Sequence, residues 1–117
     1  MENIFRLQVL TKALDLAQRI YKTTNDFPKS EVFGLTSQIR RAAVSIMANI
    51  AEAAKRKTKK DKANFFTIAD GSAEELKALL YLSYKLEYIT KSQCENLLNE
   101  IRIICRMIYR YSQKLTT

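Results

Sequence analysis

Apolar residues recur every three or four positions through most of this chain, which is the period of one face of an α-helix. Charged and polar residues fill the steps between them. The pattern is interrupted around Pro28, around Thr58 and around Thr90. It therefore predicts four amphipathic helices, over residues 7–24, 34–57, 59–87 and 91–115.

The periodicity also predicts which side chains form the core. The expected stripe of the first helix consists of Val9, Leu10, Ala13, Leu14, Ala17, Ile20 and Tyr21. The second helix is rich in alanine, which favours helix and lets a neighbouring helix come close. Gly71 lies in the middle of the third helix, where a close helix crossing would offset its low helix propensity. Phe27 and Phe33 are expected to fasten the first connection to the core.

Capping signals mark the helix starts. Thr90 followed by Gln93 forms a capping box, and Thr58 followed by Asp61 forms an imperfect one. For the second helix, Ser30 and Thr36 are both candidates, and the sequence does not choose between them.

Short connections between four helices indicate that neighbouring helices pack antiparallel. The predicted architecture is all-α, an antiparallel up-down-up-down four-helix bundle. Residues 1–117 suffice for a single domain with its own core. Two glycines and one proline in the whole chain fit long helices better than an all-β fold.

The composition disfavours several kinds of chemistry. The chain has no histidine, and its two cysteines are separated along one predicted helix by about 16 Å, too far for a disulfide. No glycine-rich phosphate loop is present. We therefore predict a protein that is not an enzyme and that binds no cofactor or metal. No membrane span or signal peptide is expected, and a cytoplasmic location is the default prediction.

The second helix runs into the densest positive charge of the chain. Six of the residues from 55 to 62 are cationic, against one aspartate: Lys55, Arg56, Lys57, Lys59, Lys60 and Lys62. Such dense like charge is compatible with a solvated helix junction, with a phosphate-contacting patch, or with binding to anionic lipid. The adjacent Phe65 and Phe66 could stack on bases, but their positions in the apolar stripe favour the core.

A second basic stripe follows the fourth helix. Arg102, Arg106 and Arg110 lie one turn apart, followed by Lys114. A cation near a helix C-terminus also complements the helix dipole, which explains Arg110 better than Arg102. We predict that Arg102, Arg106 and Arg110 join the six cations in contacting nucleic acid.

Several apolar residues lie off the core stripes. These are Val44, Ile68, Tyr81, Leu82, Ile103 and Tyr109. Together they indicate an interface between subunits. The alternative is the scattered apolar surface that soluble proteins ordinarily expose.

The sequence resembles a known family. The run GLTSQIRRAAVSI over residues 34–46, followed by NIAE over residues 49–52, is similar to the signature of the bacterial four-helix-bundle proteins encoded in intervening sequences of 23S rRNA genes. The pairs FF, IA, GS and EL between residues 65 and 76 resemble the third-helix pattern of that family. Met47 and Ala53 replace a proline and a glycine that are frequent in the family, which favours a straighter second helix.

The resemblance implies an antiparallel four-helix bundle and a ring-shaped homopentamer. It also implies a relation to accessory proteins of diversity-generating retroelements, which bind structured nucleic acid and a reverse transcriptase through a positively charged ring surface. We accordingly expect a nucleic-acid-binding accessory protein, with structured RNA favoured over DNA and a reverse transcriptase as a candidate protein partner. The alternative expectation is an oligomeric scaffold that binds an acidic protein.

Overall fold

The computed structural model describes residues 2–116, with side chains described from Gln8 to Lys114. It contains α1 Glu2–Thr24, α2 Leu35–Lys55, α3 Lys59–Lys85 and α4 Lys91–Thr116. A short 3-10 turn, Lys29–Glu31, lies in the first connection. The all-α prediction is confirmed, and the largest difference in helix bounds is that α1 begins at Glu2 rather than at residue 7. Met1 and Thr117, at the ends of the predicted domain, lie outside the described residues.

The second and third helices run in opposite directions. Near the end of α2, the Ala53 carbonyl oxygen accepts a hydrogen bond from Lys62 Nζ at 3.3 Å, close to the start of α3. Halfway along, Ser45 Oγ and Ser72 Oγ are 2.7 Å apart. The connection between the two helices, residues 56–58, reaches only about 10 Å. Therefore α3 must return along α2.

The third and fourth helices are also antiparallel. Cys94 Sγ near the start of α4 lies 3.8 Å from the Leu80 carbonyl oxygen near the end of α3. At the opposite end, the rings of Phe66 and Tyr111 meet at 5.2 Å. Each helix thus packs against the next, and α1 closes the ring against α4. The result is the predicted up-down-up-down bundle, measuring 46 × 25 × 19 Å.

The core runs the length of the bundle and is built from aliphatic side chains of all four helices. Its largest fully buried apolar residues are Val9, Leu16, Ile20, Ile39, Ile46, Ile50, Leu76, Leu80, Leu97, Ile101 and Ile104. Alanines of α2 and α3, including Ala43 and Ala69, are fully buried between them. Small side chains at these positions let the two helices approach each other.

The predicted stripe of α1 is wrong at two positions. Leu14 and Tyr21 are 49% and 43% exposed, whereas Leu16 is 1% exposed. Residues 14 and 16 flank the core line of the helix on opposite sides, so a small rotation of α1 exchanges their burial. The rotation depends on how α1 meets α2 and α4, which the periodicity of α1 alone does not contain.

The first connection is fastened by one of its two phenylalanines. Phe27 is buried, and its ring lies 5.2 Å from that of Tyr88. The Tyr88 hydroxyl donates a hydrogen bond to Glu31 Oε2 at 2.9 Å, which raises the pKa of Tyr88. Phe33 is 96% exposed, so the prediction that it packs on the core is wrong. It lies two residues after the 3-10 turn, in the connection to α2.

Neither predicted residue caps α2. The N-cap position is Gly34, which has no side chain to accept a hydrogen bond. Instead Glu31 Oε1 accepts from the Leu35 backbone N–H at 3.2 Å. Ser30 lies in the 3-10 turn and Thr36 is already inside the helix. The 3-10 turn places a carboxylate where the cap oxygen is needed, and this carboxylate also suits the positive end of the helix dipole.

The other two caps are confirmed. Thr58 Oγ1 accepts from the Asp61 backbone N–H at 3.1 Å. At the start of α4, Thr90 Oγ1 accepts from the Gln93 N–H at 3.1 Å, and Gln93 Oε1 accepts from the Thr90 N–H at 2.8 Å. This is the reciprocal pattern of a complete capping box.

Gly71 does not mark a close helix crossing, and that prediction is wrong. A Cβ added at Gly71 would meet no atom within 4 Å. The next residue, Ser72, is the one that faces α2, through its hydroxyl contact with Ser45. Because successive helix residues are about 100° apart, Gly71 is turned out of that interface.

Helix α3 ends in a Schellman motif with an unfavourable residue. Glu87 has φ of 64°, the Tyr88 N–H bonds to the Ser83 carbonyl at 2.9 Å, and the Glu87 N–H bonds to the Tyr84 carbonyl at 2.9 Å. Left-handed backbone favours glycine, because other residues bring Cβ too close to a carbonyl oxygen. We expect Glu87→Gly to stabilise the fold by about 1 kcal/mol in urea unfolding. Glu87→Ala is the control: an equal gain from alanine would assign the effect to charge rather than backbone.

Candidate nucleic-acid interface

Five of the six predicted cations surround the connection between α2 and α3. We call Lys55, Arg56, Lys57, Lys59 and Lys60 the turn cluster; all five are exposed. Helix α2 ends at Lys55 and α3 begins at Lys59, so the chain reverses within three residues. Arg56 and Thr58 have extended backbone, with ψ of 150° and 151°. The tight reversal concentrates the five positive charges at one end of the bundle.

Arg56 is held in place more firmly than a surface cation usually is. Its Nη2 atom donates to Glu52 Oε2 at 2.9 Å, one turn earlier on α2. Its guanidinium carbon lies 4.5 Å from the centre of the Phe65 ring. A guanidinium fixed by a carboxylate and an aromatic face keeps further N–H donors for an anion. These two contacts restrain the Arg56 side chain on the turn cluster.

Lys62 is set apart from the turn cluster. Its side chain is 9% exposed, and Nζ donates to the Ala53 carbonyl oxygen at 3.3 Å. Ala53 belongs to the last turn of α2, where the helix dipole is negative, and its carbonyl oxygen also accepts from the Arg56 backbone N–H at 3.3 Å. The prediction placed Lys62 among the phosphate-contacting residues; the structure assigns its ammonium to the C-terminus of α2.

The three arginines of the α4 stripe, Arg102, Arg106 and Arg110, are all exposed. Arg110 directly precedes Tyr111, whose ring meets Phe66 near the start of α3. The C-terminal end of the stripe therefore lies at the same end of the bundle as the turn cluster. Arg102 lies about 12 Å further along the helix axis.

The two phenylalanines beside the turn cluster, Phe65 and Phe66, pack in or against the core of the bundle. Phe66 is 2% exposed and packs edge-on against Tyr111, with an angle of 75° between the rings. Phe65 is partly buried, and one face of its ring is covered by Arg56. Base stacking at the turn cluster would have to displace Arg56 from Phe65.

Both thiols are held in their protonated forms. Cys94 is buried, and burial raises its pKa. For Cys105, burial and the nearby Asp70 carboxylate raise the pKa to about 11. A thiol with such a pKa is almost entirely neutral at pH 7, and the neutral thiol is neither a good nucleophile nor a good metal ligand. Cys94 lies in the core, whereas Cys105 is only partly buried.

Comparison with known proteins identifies the family. The family model described as 23S rRNA-intervening sequence protein matches residues 6–110. The chain belongs to this family. The match includes the turn cluster and all three arginines of the α4 stripe. None of the curated proteins matches the chain.

A solved structure of the same fold supports the assignment. It is the 1.70 Å crystal structure of a protein of unknown function from the S23 ribosomal protein family of Bacteroides thetaiotaomicron. The two chains are 30% identical, with a TM-score of 0.85 over 93% of this chain and 98% of that one. The similarity thus extends over nearly the whole four-helix bundle.

The family signature in α2 includes an arginine whose role the sequence did not reveal. Arg40 Nε donates to Thr24 Oγ1 at 2.8 Å, and Nη2 donates to Asn25 Oδ1 at 3.1 Å. Its guanidinium carbon also lies 4.7 Å from the centre of the Tyr21 ring. Arg40 thus reaches from α2 to the C-terminal end of α1 and hydrogen-bonds to side chains there. The pairing depends on where α1 ends relative to α2, so no local sequence signal predicts it.

The structure also contains a cavity between α3 and α4 that the sequence does not predict. Its volume is about 450 Å³. We call it the α3–α4 cavity; it is lined by Tyr81, Tyr84, Lys91, Cys94, Glu95, Leu98 and Arg102. From the sequence, Tyr81 is expected at an interface between subunits and Arg102 at the nucleic-acid surface, whereas the structure places both on this cavity. The packing of α3 on α4 brings them together.

Among residues 2–116, no helix is long and apolar enough to cross a membrane.

Proposed function

We propose that this protein is a non-enzymatic RNA-binding accessory protein that contacts the phosphates of structured RNA through the turn cluster and the α4 stripe. The observation that carries the proposal is the concentration of five exposed cations around the three-residue connection between α2 and α3. Arg110 lies at the same end of the bundle. Only Glu52 and Asp61 bring negative charge close to this group in the sequence. The chain as a whole carries a net charge of +8.

The physics of such a surface favours contact with a phosphate backbone. Lysine and arginine side chains that bind phosphates release condensed counterions, so affinity falls steeply as salt rises. Contacts of this kind position a nucleic acid but do not read its sequence. The absence of histidine in the sequence and the raised pKa values of both thiols support a role without catalysis.

Assembly of several copies would strengthen this surface. Exposed apolar residues occur on two different parts of the bundle: Leu14 and Tyr21 on α1, and Ile68 and Leu82 on α3. Contacts between unlike patches build rings when the rotation closes. The proposal is a homopentamer, whose net charge would be about +40. Cytoplasmic location is part of the same proposal.

The fully exposed Phe33 favours a second candidate function. A phenylalanine that is 96% exposed is a suitable anchor for a protein partner. The alternative proposal is therefore an oligomeric scaffold that binds a protein with an acidic face. A reverse transcriptase is one such candidate partner, carried over from the family resemblance.

Binding of a labelled structured RNA across a salt series, with particle mass measured in the same buffers, tests the proposal. We expect tight binding that falls steeply with salt, on a particle of about five chains. A particle of that mass without binding at low salt would contradict RNA binding and favour the scaffold. A second readout is the ultraviolet absorbance ratio of the purified protein before and after a high-salt wash, which detects carried nucleic acid.

A further inference from the structure

The α3–α4 cavity combines aromatic rings with positive charge. Tyr81 is 51% exposed and Tyr84 is 36% exposed, so both side chains are partly accessible to a ligand. Leu98 and Cys94 are 3% exposed and form an apolar floor. Lys91 and Arg102 line the cavity as well. Its volume of about 450 Å³ falls within the range of ligand pockets, roughly 300–1,000 Å³.

The arrangement of these groups matches one class of ligand. Exposed aromatic side chains stack on bases, and neighbouring cations hold the attached phosphates. Lys91 and Arg102 occupy opposite ends of the α4 segment that lines the cavity, separated by about 16 Å along the axis. The tyrosines of α3 lie across from this segment. A nucleotide in the cavity would thus meet rings on one side and cations at two ends.

The remaining polar group argues against a purely anionic ligand. The Glu95 carboxylate also lines the cavity, and it lies 3.9 Å from the Lys91 ammonium, a loose pair. A carboxylate repels a free phosphate or an acidic peptide. It can accept a hydrogen bond from the amino or imino group of a base. The polar lining therefore suits a base attached to a phosphate better than a phosphate alone.

We propose that the α3–α4 cavity binds an unpaired nucleotide of the RNA, with the base against Tyr81 and Tyr84 and its phosphates near Lys91 and Arg102. The inference rests on the proposed RNA-binding function and adds a preference for RNA with unpaired bases. Arg102 is also the first residue of the α4 stripe, so the stripe leads from the cavity towards the turn cluster. A paired stem can contact the stripe and the turn cluster while a loop or bulge nucleotide enters the cavity.

The test compares two RNAs and four tyrosine variants. One RNA is a hairpin with a uridine loop, and the other is a blunt duplex with the same stem sequence. We expect the wild-type chain to bind the hairpin about 5- to 100-fold more tightly than the duplex. Tyr81→Leu and Tyr84→Leu should each remove most of this preference and leave duplex affinity, particle mass and helicity by circular dichroism unchanged.

Two further variants separate stacking in the cavity from other effects. Tyr81→Phe keeps the ring and should keep the preference for the hairpin. Tyr109→Leu removes another exposed tyrosine, 64% exposed on α4 but outside the cavity, and should also keep it. Equal binding of both RNAs by the wild-type chain, or an equal loss in Tyr109→Leu, would overturn the cavity inference while RNA binding stands. Failure to bind either RNA would overturn the proposed function, and the cavity inference with it.

Discussion

Replacing Lys57, Lys59 and Lys60 together with glutamine is expected to weaken binding of structured RNA about 100-fold at roughly 0.1 M salt. Each lysine that neutralises a phosphate contributes close to one unit to the slope of log affinity against log salt. The triple variant should therefore lower the magnitude of that slope by about 2 to 3. All three lysines are exposed on the turn cluster, so the fold should be unaffected. Filter binding or fluorescence anisotropy over a salt series measures both quantities.

The matched control removes the same charge from the other end of the bundle. Lys22 lies in the last turn of α1, Lys29 in the first connection and the exposed Arg41 in the first half of α2, all outside the α3–α4 cavity. Their replacement by glutamine lowers the net charge by the same three units, at the end of a 46 Å long molecule that is remote from the turn cluster. We expect a change of less than about 5-fold, because screened charges act only within roughly 10 Å. Equal losses in both triple variants would mean that net charge, not the turn cluster, attracts the RNA.

Lys62 is excluded from the lysine variant for a structural reason. Its ammonium is buried and donates to the Ala53 carbonyl at the end of α2, as the Arg56 N–H also does. Replacing it would combine a loss of charge with a disturbed helix end, and a loss of affinity could not then be assigned to phosphate contacts. From the sequence alone Lys62 belongs to the cationic run, and only the return of α3 along α2 shows that it faces inward.

Features that depend on neighbouring residues in the sequence were predictable. The helices, their antiparallel order and the caps at Thr58 and Thr90 follow from periodicity, connection length and side chains three positions apart. The turn cluster is likewise a continuous run of charge. Features that depend on how one helix meets another were not predictable. The exposure of Phe33 and the open surroundings of Gly71 belong to this second group.

The same distinction divides the candidate site. The cations of the turn cluster could be named from the sequence because they are consecutive apart from Thr58, and those of the α4 stripe because they repeat at helix spacing on one helix. The α3–α4 cavity could not, because Tyr81 and Arg102 are 21 positions apart in the sequence and converge only through the packing of α3 on α4. Lys91 was missed for the same reason, since it is isolated in the sequence from both basic sets.

A comparison of Leu16→Ala with Leu14→Ala tests which face of α1 is turned towards the core. Leu16 is 1% exposed in the core, so its truncation leaves a cavity and is expected to lower the free energy of unfolding by about 2–5 kcal/mol. Leu14 is 49% exposed, and its truncation should cost less than about 1 kcal/mol within one chain. Urea unfolding followed by circular dichroism, at several protein concentrations, gives both values. A Leu14 effect that shrinks on dilution would place this residue in the proposed interface between copies, because assembly adds to apparent stability by mass action and this contribution is lost as the copies separate. A concentration-independent loss of unfolding free energy at Leu14 as large as that at Leu16 would instead support the stripe predicted from the sequence. It would contradict the orientation of α1 in the structure.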